Sequence, residues 1–187
     1  VLIDSVQAGV HAKRLALHLR IIALHTVATT QFTYEQRFSR TVCGKQHVLE
    51  VDAKWFEGER HRKVGQNAKY DRHVLANHGV DVKGVAHDTL LQSYVLESDK
   101  PHDLGSLAAR HCGLKTLSYD DVTGKGAARI PFNQVAIDRA AEYGAEDADC
   151  TLRVHEVLAP RLEHDPALAT LYRELELPVA EVLFRME

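Results

Sequence analysis

The chain has 187 residues, 45% hydrophobic and 26% charged, with a formal net charge of −3, which suits one ordinary globular domain with a buried core. No apolar run reaches the ~20 residues of a membrane-spanning helix, and a slightly acidic balance argues against an autonomous high-affinity duplex binder with a basic face, though not against an enzyme that grips a few nucleotides at one strand end. Cys43, Cys112 and Cys150 are scattered, without zinc spacing, and read as reduced thiols of a cytoplasmic protein.

In chain order, Val1-Leu2-Ile3 reads as a short buried strand ending at Asp4, and residues 12–25 suit a helix. His11, His18 and His25 are seven apart and fit one helix stripe better than a metal site. Residues 1–49 carry six Lys/Arg against two acids, Asp4 and Glu35, and residues 5–34 contain no acid. That stretch reads as a transit peptide, as diverged sequence or as a frame-shifted segment. Residues 50–187 are acidic.

The signals sharpen from Trp55. Val64-Gly65-Gln66-Asn67 reads as a strand end and turn, and Lys69 to His78 as a helix stopped at Gly79. The alternation in Val80 to Val85 predicts a strand. Asp88-Thr89 caps a helix whose apolar face holds Leu90, Leu91, Tyr94, Val95 and Leu96. A further helix runs from Leu104 to His111 and stops near Gly113. Residues 116–130 read as a polar loop. Pro131 to Ala148 reads as a helix that continues through Leu162, and Pro166 to Glu187 as one interrupted at Pro178. Early strands followed by many helices predict an α/β or α+β class.

Two motifs carry chemistry. Tyr143-Gly144-Ala145-Glu146-Asp147 places a phenol and a carboxylate at i and i+4 on one helix face. Such a pair can hold a cation and orient a water, or it can be a solvated Asp below a half-buried Tyr. Gln66-Asn67-Ala68-Lys69-Tyr70-Asp71 ends in a carboxylate 76 residues before Asp147. Asp71 alone is equally a helix-start residue that complements the helix N-terminus.

From about Trp55 to Glu187 the chain resembles the 3′→5′ exonuclease domain of bacterial DNA polymerase I, a family A polymerase. The resemblance rests on Lys63 to Asp71, Asp88-Thr89 with Ser93-Tyr94-Val95-Leu96, and Leu104 to Arg110. It continues through Gly124-Lys125-Gly126, Phe132-Asn133-Gln134, Tyr143 to Asp149 and Thr151-Leu152. Glu176-Leu177-Pro178-Val179 is similar to the passage from exonuclease into polymerase, so residues 1–187 read as one exonuclease-like domain, atypical over 1–50, in which that passage starts at about 178 and which itself contains no polymerase.

The resemblance implies a ribonuclease H-like α/β fold, a small mixed sheet flanked by helices. It implies proofreading hydrolysis at a single-stranded 3′ end of DNA by a monomer attached to a polymerase domain, with no membrane partner. Its cofactors would be two Mg²⁺ or Mn²⁺ ions roughly 4 Å apart, which stabilise the attacking and leaving oxygens and suit oxygen-only ligands. By this resemblance Asp147 and Asp71 hold metal, Tyr143 orients water, and Gln66, Asn67 and Tyr70 lie near the frayed strand end. Tyr119 falls where the family often stacks an aromatic on a base, or else it packs on the domain surface. Asp88 and Asp149 match acidic positions with structural roles.

The family's first motif, a strand followed by Asp-x-Glu, is incomplete. Asp4 stands at the Asp position, but Val6 occupies the Glu position, and Glu50-Val51-Asp52 reverses the order too close to Asp71. The hydrophobic strands expected after this motif are not recognisable in residues 7–50. Three readings follow. The first is a DNA exonuclease and the second an inactive scaffold that braces a polymerase or weakly binds single strands. The third is an RNA-processing exonuclease, which the match at Gly124-Lys125-Gly126 disfavours.

Overall fold

A computed structural model describes residues 54, 56–60, 62–77 and 79–187. Asp4, Val6, the expected strand over residues 1–3 and the helix over residues 12–25 lie outside them. Among the described residues two parallel strands, β1 (Lys63–Gly65) and β2 (Val85–Asp88), pair as Lys63 with Val85, Val64 with His87 and Gly65 with Asp88. Helix α1 (Ala68–Ala76) connects them. Gly65 must lack a side chain, because a Cβ there would stand 2.6 Å from that of Ala68.

The expected strand over Val80 to Val85 is displaced. The ladder begins only at Val85, and the residues before it are irregular. Val80 N–H donates to the Leu75 carbonyl and Lys83 N–H to that of Phe56. Val82 is buried with Phe56 and Leu75. One-sided packing on this cluster produces the alternation without strand pairing.

Asp88 caps α2 (Thr89–Leu96), as its sequence context suggests. Next come α3 (Leu104–Leu107), continued by a wide turn over Ala108–Cys112, and α4 (Tyr119–Thr123). Helix α4 lies inside the expected loop. Its signal is Ser118-x-x-Asp121, which forms a reciprocal capping box. The long helix α5 (Ile137–His164) begins later than expected, after a single turn over Phe132–Gln134, and then runs without a break past Leu162. Ala140, Gly144, Ala148, Thr151, Val154, Leu158 and Leu162 recur every three or four residues and are all buried, a stripe at helical period. Leu107, Ala108, Cys150, Val154 and Leu158 form the main core with Leu96 and Leu104.

Helix α6 (Pro166–Leu171) is followed by a wide turn over Tyr172–Glu176 and by α7 (Leu177–Met186). The expected interruption therefore lies upstream of Pro178, which sits in the first turn of α7. There its missing N–H leaves fewer helical bonds unmade, and its ring crowds the carbonyl four residues earlier, in the wide turn.

A histidine pair joins β2 to α5. The His87 and His155 rings lie 4.6 Å apart, and His87 stacks on Tyr172. An Arg62 guanidinium nitrogen is 3.0 Å from His87 Nε2, and His155 Nδ1 is 3.1 Å from Gln92 Oε1. Burial, then His155 and Arg62, pull His87 down to about 4, and burial lowers His155 too. Glu163 and Glu156 oppose these shifts, and Arg173 adds to the one on His87. Both rings are thus neutral at pH 7. The unfolded chain binds protons first as pH falls below the ordinary histidine value, so the stability tied to this pair is full above about 6.5 and is lost toward 4. His87→Phe keeps a ring against Tyr172 and is expected to remove about 1 kcal/mol of that acid sensitivity, after allowance for solvent access. Urea unfolding of both proteins at pH 7 and pH 5 measures it, and equal losses would refute the assignment.

Candidate active site

The parallel strands end where three helices begin. Asn67, just before α1, has φ 57°, a left-handed conformation that asparagine tolerates better than most residues. This turn aims two successive amides at one buried carboxylate. Asn67 N–H donates to Asp88 Oδ1 at 3.1 Å and Ala68 N–H to Asp88 Oδ2 at 2.7 Å. Asp88 Oδ1 also accepts from Leu90 N–H at 2.9 Å, and Asp88 N–H donates to the Tyr172 hydroxyl at 3.0 Å. One side chain therefore fixes the starts of α1 and α2 together. The Thr89 hydroxyl lies between the Gly65 carbonyl, at 3.1 Å, and Gln66 Oε1.

Gln66 is engaged at both ends, since its Nε2 donates to the His102 carbonyl at 2.8 Å. Asn67 is exposed, Tyr70 is 37% exposed and Asp71 is half-buried on α1. Tyr143 and Asp147 lie one turn apart on α5, both half-buried and each shifting the other's proton affinity. Burial pushes the Asp147 carboxyl up to about 6, and the negative charges of Glu146 and Asp71 add to the shift while the Tyr143 hydrogen bond opposes it. Burial and the Asp147 charge push the Tyr143 phenol up to about 12. Tyr143 is therefore a neutral O–H donor at pH 7, and Asp147 stands within the electrostatic reach of Asp71.

Two neighbours had no role in the sequence reading. Glu146 accepts the Leu117 N–H at 2.7 Å and so ties the approach to α4 onto α5. Phe132 is buried between Tyr119 and Tyr143, with ring centroids 5.7 Å and 6.0 Å away. Tyr119 itself is 47% exposed; it both packs on Phe132 and offers surface to solvent. Asp149 points outward and pairs with Arg153. A cavity of about 580 Å³ lies between α1, β2 and α7, away from Asp71, Tyr143 and Asp147. Its cations are all paired, Lys69 with Glu187, Arg72 and Arg185 with Glu181, and Lys83 with Asp81.

The donor set around Asp147 suits a hard cation. It offers oxygen ligands, and a carboxyl held up to about 6 chiefly by burial, with Glu146 and Asp71 adding to the shift, is one whose charge a divalent ion would stabilise. Among the described residues no group of three or more His, Cys, Asp or Glu is arranged to hold a metal ion. Asp71 and Asp147 alone are fewer oxygen donors than a hard cation takes. No described helix is long and apolar enough to cross a membrane.

Residues 15–163 match the family described as 3′-5′ exonuclease. The DNA polymerase I of Pseudomonas aeruginosa is 47% identical over 143 residues, which cover 75% of this chain and 16% of that protein. This chain belongs to the 3′→5′ exonuclease domain family of DNA polymerase I. The DNA polymerase I of Rhizobium leguminosarum is 43% identical over 132 residues, or 70% of this chain and 13% of that one. This chain therefore spans about a sixth or less of the length of these relatives. In structure it is similar to the POL domain of Pol1 from M. smegmatis in complex with DNA primer-template and dNTP. The TM-score is 0.59 at 23% identity, over 79% of this chain and 22% of that one. That likeness concerns the fold, which is mixed α/β of the ribonuclease H-like kind. The family match takes in residues 15–53, more of the N-terminal part than the motifs alone reach, and leaves Asp4 and Val6 outside it.

Proposed function

We propose that this chain is a metal-dependent 3′→5′ exonuclease module that removes nucleotides from a single-stranded 3′ end of DNA. The observation that carries this reading is that Tyr143 and Asp147 lie one turn apart on α5 and that the Asp71 charge on α1 is felt at Asp147. Asp71 and Asp147, with Asp4 as a third ligand, would hold Mg²⁺ or Mn²⁺. Such ions would supply an activated water and charge stabilisation at the phosphodiester. The protein's share is positional. Tyr143 stays a neutral donor at pH 7, so its hydroxyl can hold a water beside Asp147. The Asp88 bridge fixes the start of α1, and hence Asp71, against the strand ends. Gln66, Asn67 and Tyr70 border the same strand ends, where they can meet the frayed DNA. The chain would act as a cytoplasmic monomer joined to a polymerase domain in its parent protein, in replication and repair.

A second reading is favoured by Val6, which stands where the family's first motif has its Glu. Without that ligand the mutual repulsion of two cations is less well offset, and the module would survive as a scaffold bracing a polymerase. Digestion of 5′-labelled single-stranded DNA with Mg²⁺ or Mn²⁺ decides between them. A 3′→5′ ladder that Asp147→Ala abolishes is the expected result. No ladder from the folded wild-type chain would establish the scaffold.

A further inference from the structure

Phe132 packs against two aromatic rings near the proposed site, and its place is set by local chemistry. After α4 the chain turns at Gly124, whose φ is 85° and whose Cβ would stand 2.9 Å from the Ala128 carbonyl oxygen. Ile130 N–H then donates back to the Thr123 carbonyl at 2.8 Å. This return places Phe132, 6% exposed, in a small apolar cluster with Val122 and Ala140, against which Val135 and Tyr143 pack. Its ring lies 5.7 Å from that of Tyr119 at an interplanar angle of 22°, and 6.0 Å from that of Tyr143 at 58°. These are the offset-stacked and tilted arrangements that aromatic pairs prefer.

We propose that Phe132 is a positioning residue that couples a nucleobase platform at Tyr119 to the phenol of Tyr143. The inference rests on the exonuclease reading. Helix α4 has five residues, too few to hold an exposed Tyr119 ring by helical stability alone. The flat face of Phe132 sets the Tyr119 plane, while the Arg129 guanidinium stands 5.8 Å from the Tyr119 centroid and pairs with Asp120. On its other side Phe132 forms a wall for the Tyr143 ring, whose phenol feels the Asp147 charge one turn on. A base stacked on Tyr119 is thus registered, through one rigid ring, against the residue that orients the water. Apolar volume alone cannot do this, because leucine fills the space but offers no flat face.

The test uses Phe132→Leu, Tyr119→Leu, Tyr143→Phe and the two doubles that contain Phe132→Leu. Val122→Ala serves as a control that weakens the same cluster without touching a ring pair. Binding of single-stranded DNA is read by fluorescence anisotropy in EDTA, and kcat and KM in Mn²⁺. Phe132→Leu is expected to weaken binding about fivefold, the lower end of one base–aromatic stack, with no further loss when added to Tyr119→Leu. It is expected to lower kcat about tenfold, with no further loss when added to Tyr143→Phe. Val122→Ala should lower the melting temperature and leave both readouts unchanged. Losses that add in either double, or a Val122→Ala that copies Phe132→Leu, would overturn the coupling. An inactive wild type sinks the exonuclease reading, and the binding cycle in EDTA then decides whether Phe132 sets Tyr119.

Discussion

Asp147→Asn is expected to abolish hydrolysis and, in the same protein, to raise stability. The activity loss follows from charge. Asp147 is a half-buried carboxylate, and the neutral amide cannot offset a divalent ion. Removal of residues that merely orient a metal ligand costs about 10–100-fold, so loss of the ligand should exceed a hundredfold in kcat. The stability gain follows from the same burial. The native carboxyl holds its proton up to about 6 instead of 3.8. A raised native carboxyl contributes stability below the unfolded value, which is lost as pH rises through about 6. At pH 7 the ion-free wild type therefore bears a strain that the neutral asparagine lacks, of about 2 kcal/mol after allowance for solvent and relaxation. Urea unfolding in EDTA should show the variant more stable at pH 7 and the two equal near pH 4. Addition of Mn²⁺ at pH 7 should stabilise the wild type and not the variant. Equal stability at pH 7 in EDTA would refute the charged, confined site, and equal stabilisation by Mn²⁺ would refute Asp147 as a ligand.

The parts of this site visible in the sequence are those written in one helix or one turn. Tyr143 and Asp147 share a face because helical period dictates it, and the buried stripe of α5 follows from the same count. Asp88 before Thr89 reads as a cap for the same local reason. What the sequence leaves out depends on partners distant in the chain. The amides of Asn67 and Ala68 reach Asp88 across 21 and 20 residues, and no local pattern shows that one carboxylate serves two helices. Phe132 belongs to a matching stretch, yet its role appears only when α4 folds back to bring Tyr119 beside it. The misplaced strand has a physical source as well. Val80 and Val82 alternate with Asp81 and Lys83 because one side faces Phe56 and Leu75, and alternation reports a half-buried segment whether or not it pairs. The local signal for α4, Ser118-x-x-Asp121, was present but sat among glycines and charges that read as loop.

Asp88→Ala is expected to have the largest effect on folding. The carboxylate is 5% exposed and accepts three backbone N–H groups, from Asn67, Ala68 and Leu90. Burial raises its proton affinity and those amides pull it back down. Alanine leaves three donors at the starts of α1 and α2 without their acceptor, and each such loss in a dry site costs about 1–3 kcal/mol. Water entering the vacated space recovers part of it, so a net loss of about 4 kcal/mol is expected, large against the ~5–15 kcal/mol by which a domain of this size is stable. Asp88→Asn should lose about half as much. Its one carbonyl oxygen can replace one carboxylate oxygen, but its NH₂ group would face an amide donor. Tyr172→Phe, which removes the acceptor for Asp88 N–H, should cost about 1–2 kcal/mol. Guanidinium unfolding of the three variants should rank them alanine, asparagine, then Tyr172→Phe. Because Asp88 also anchors the turn before α1, Asp88→Asn should lower exonuclease kcat through Asp71 even where the protein remains folded. An Asp88→Ala protein as stable as wild type would show that α1 and α2 hold their places without the shared carboxylate.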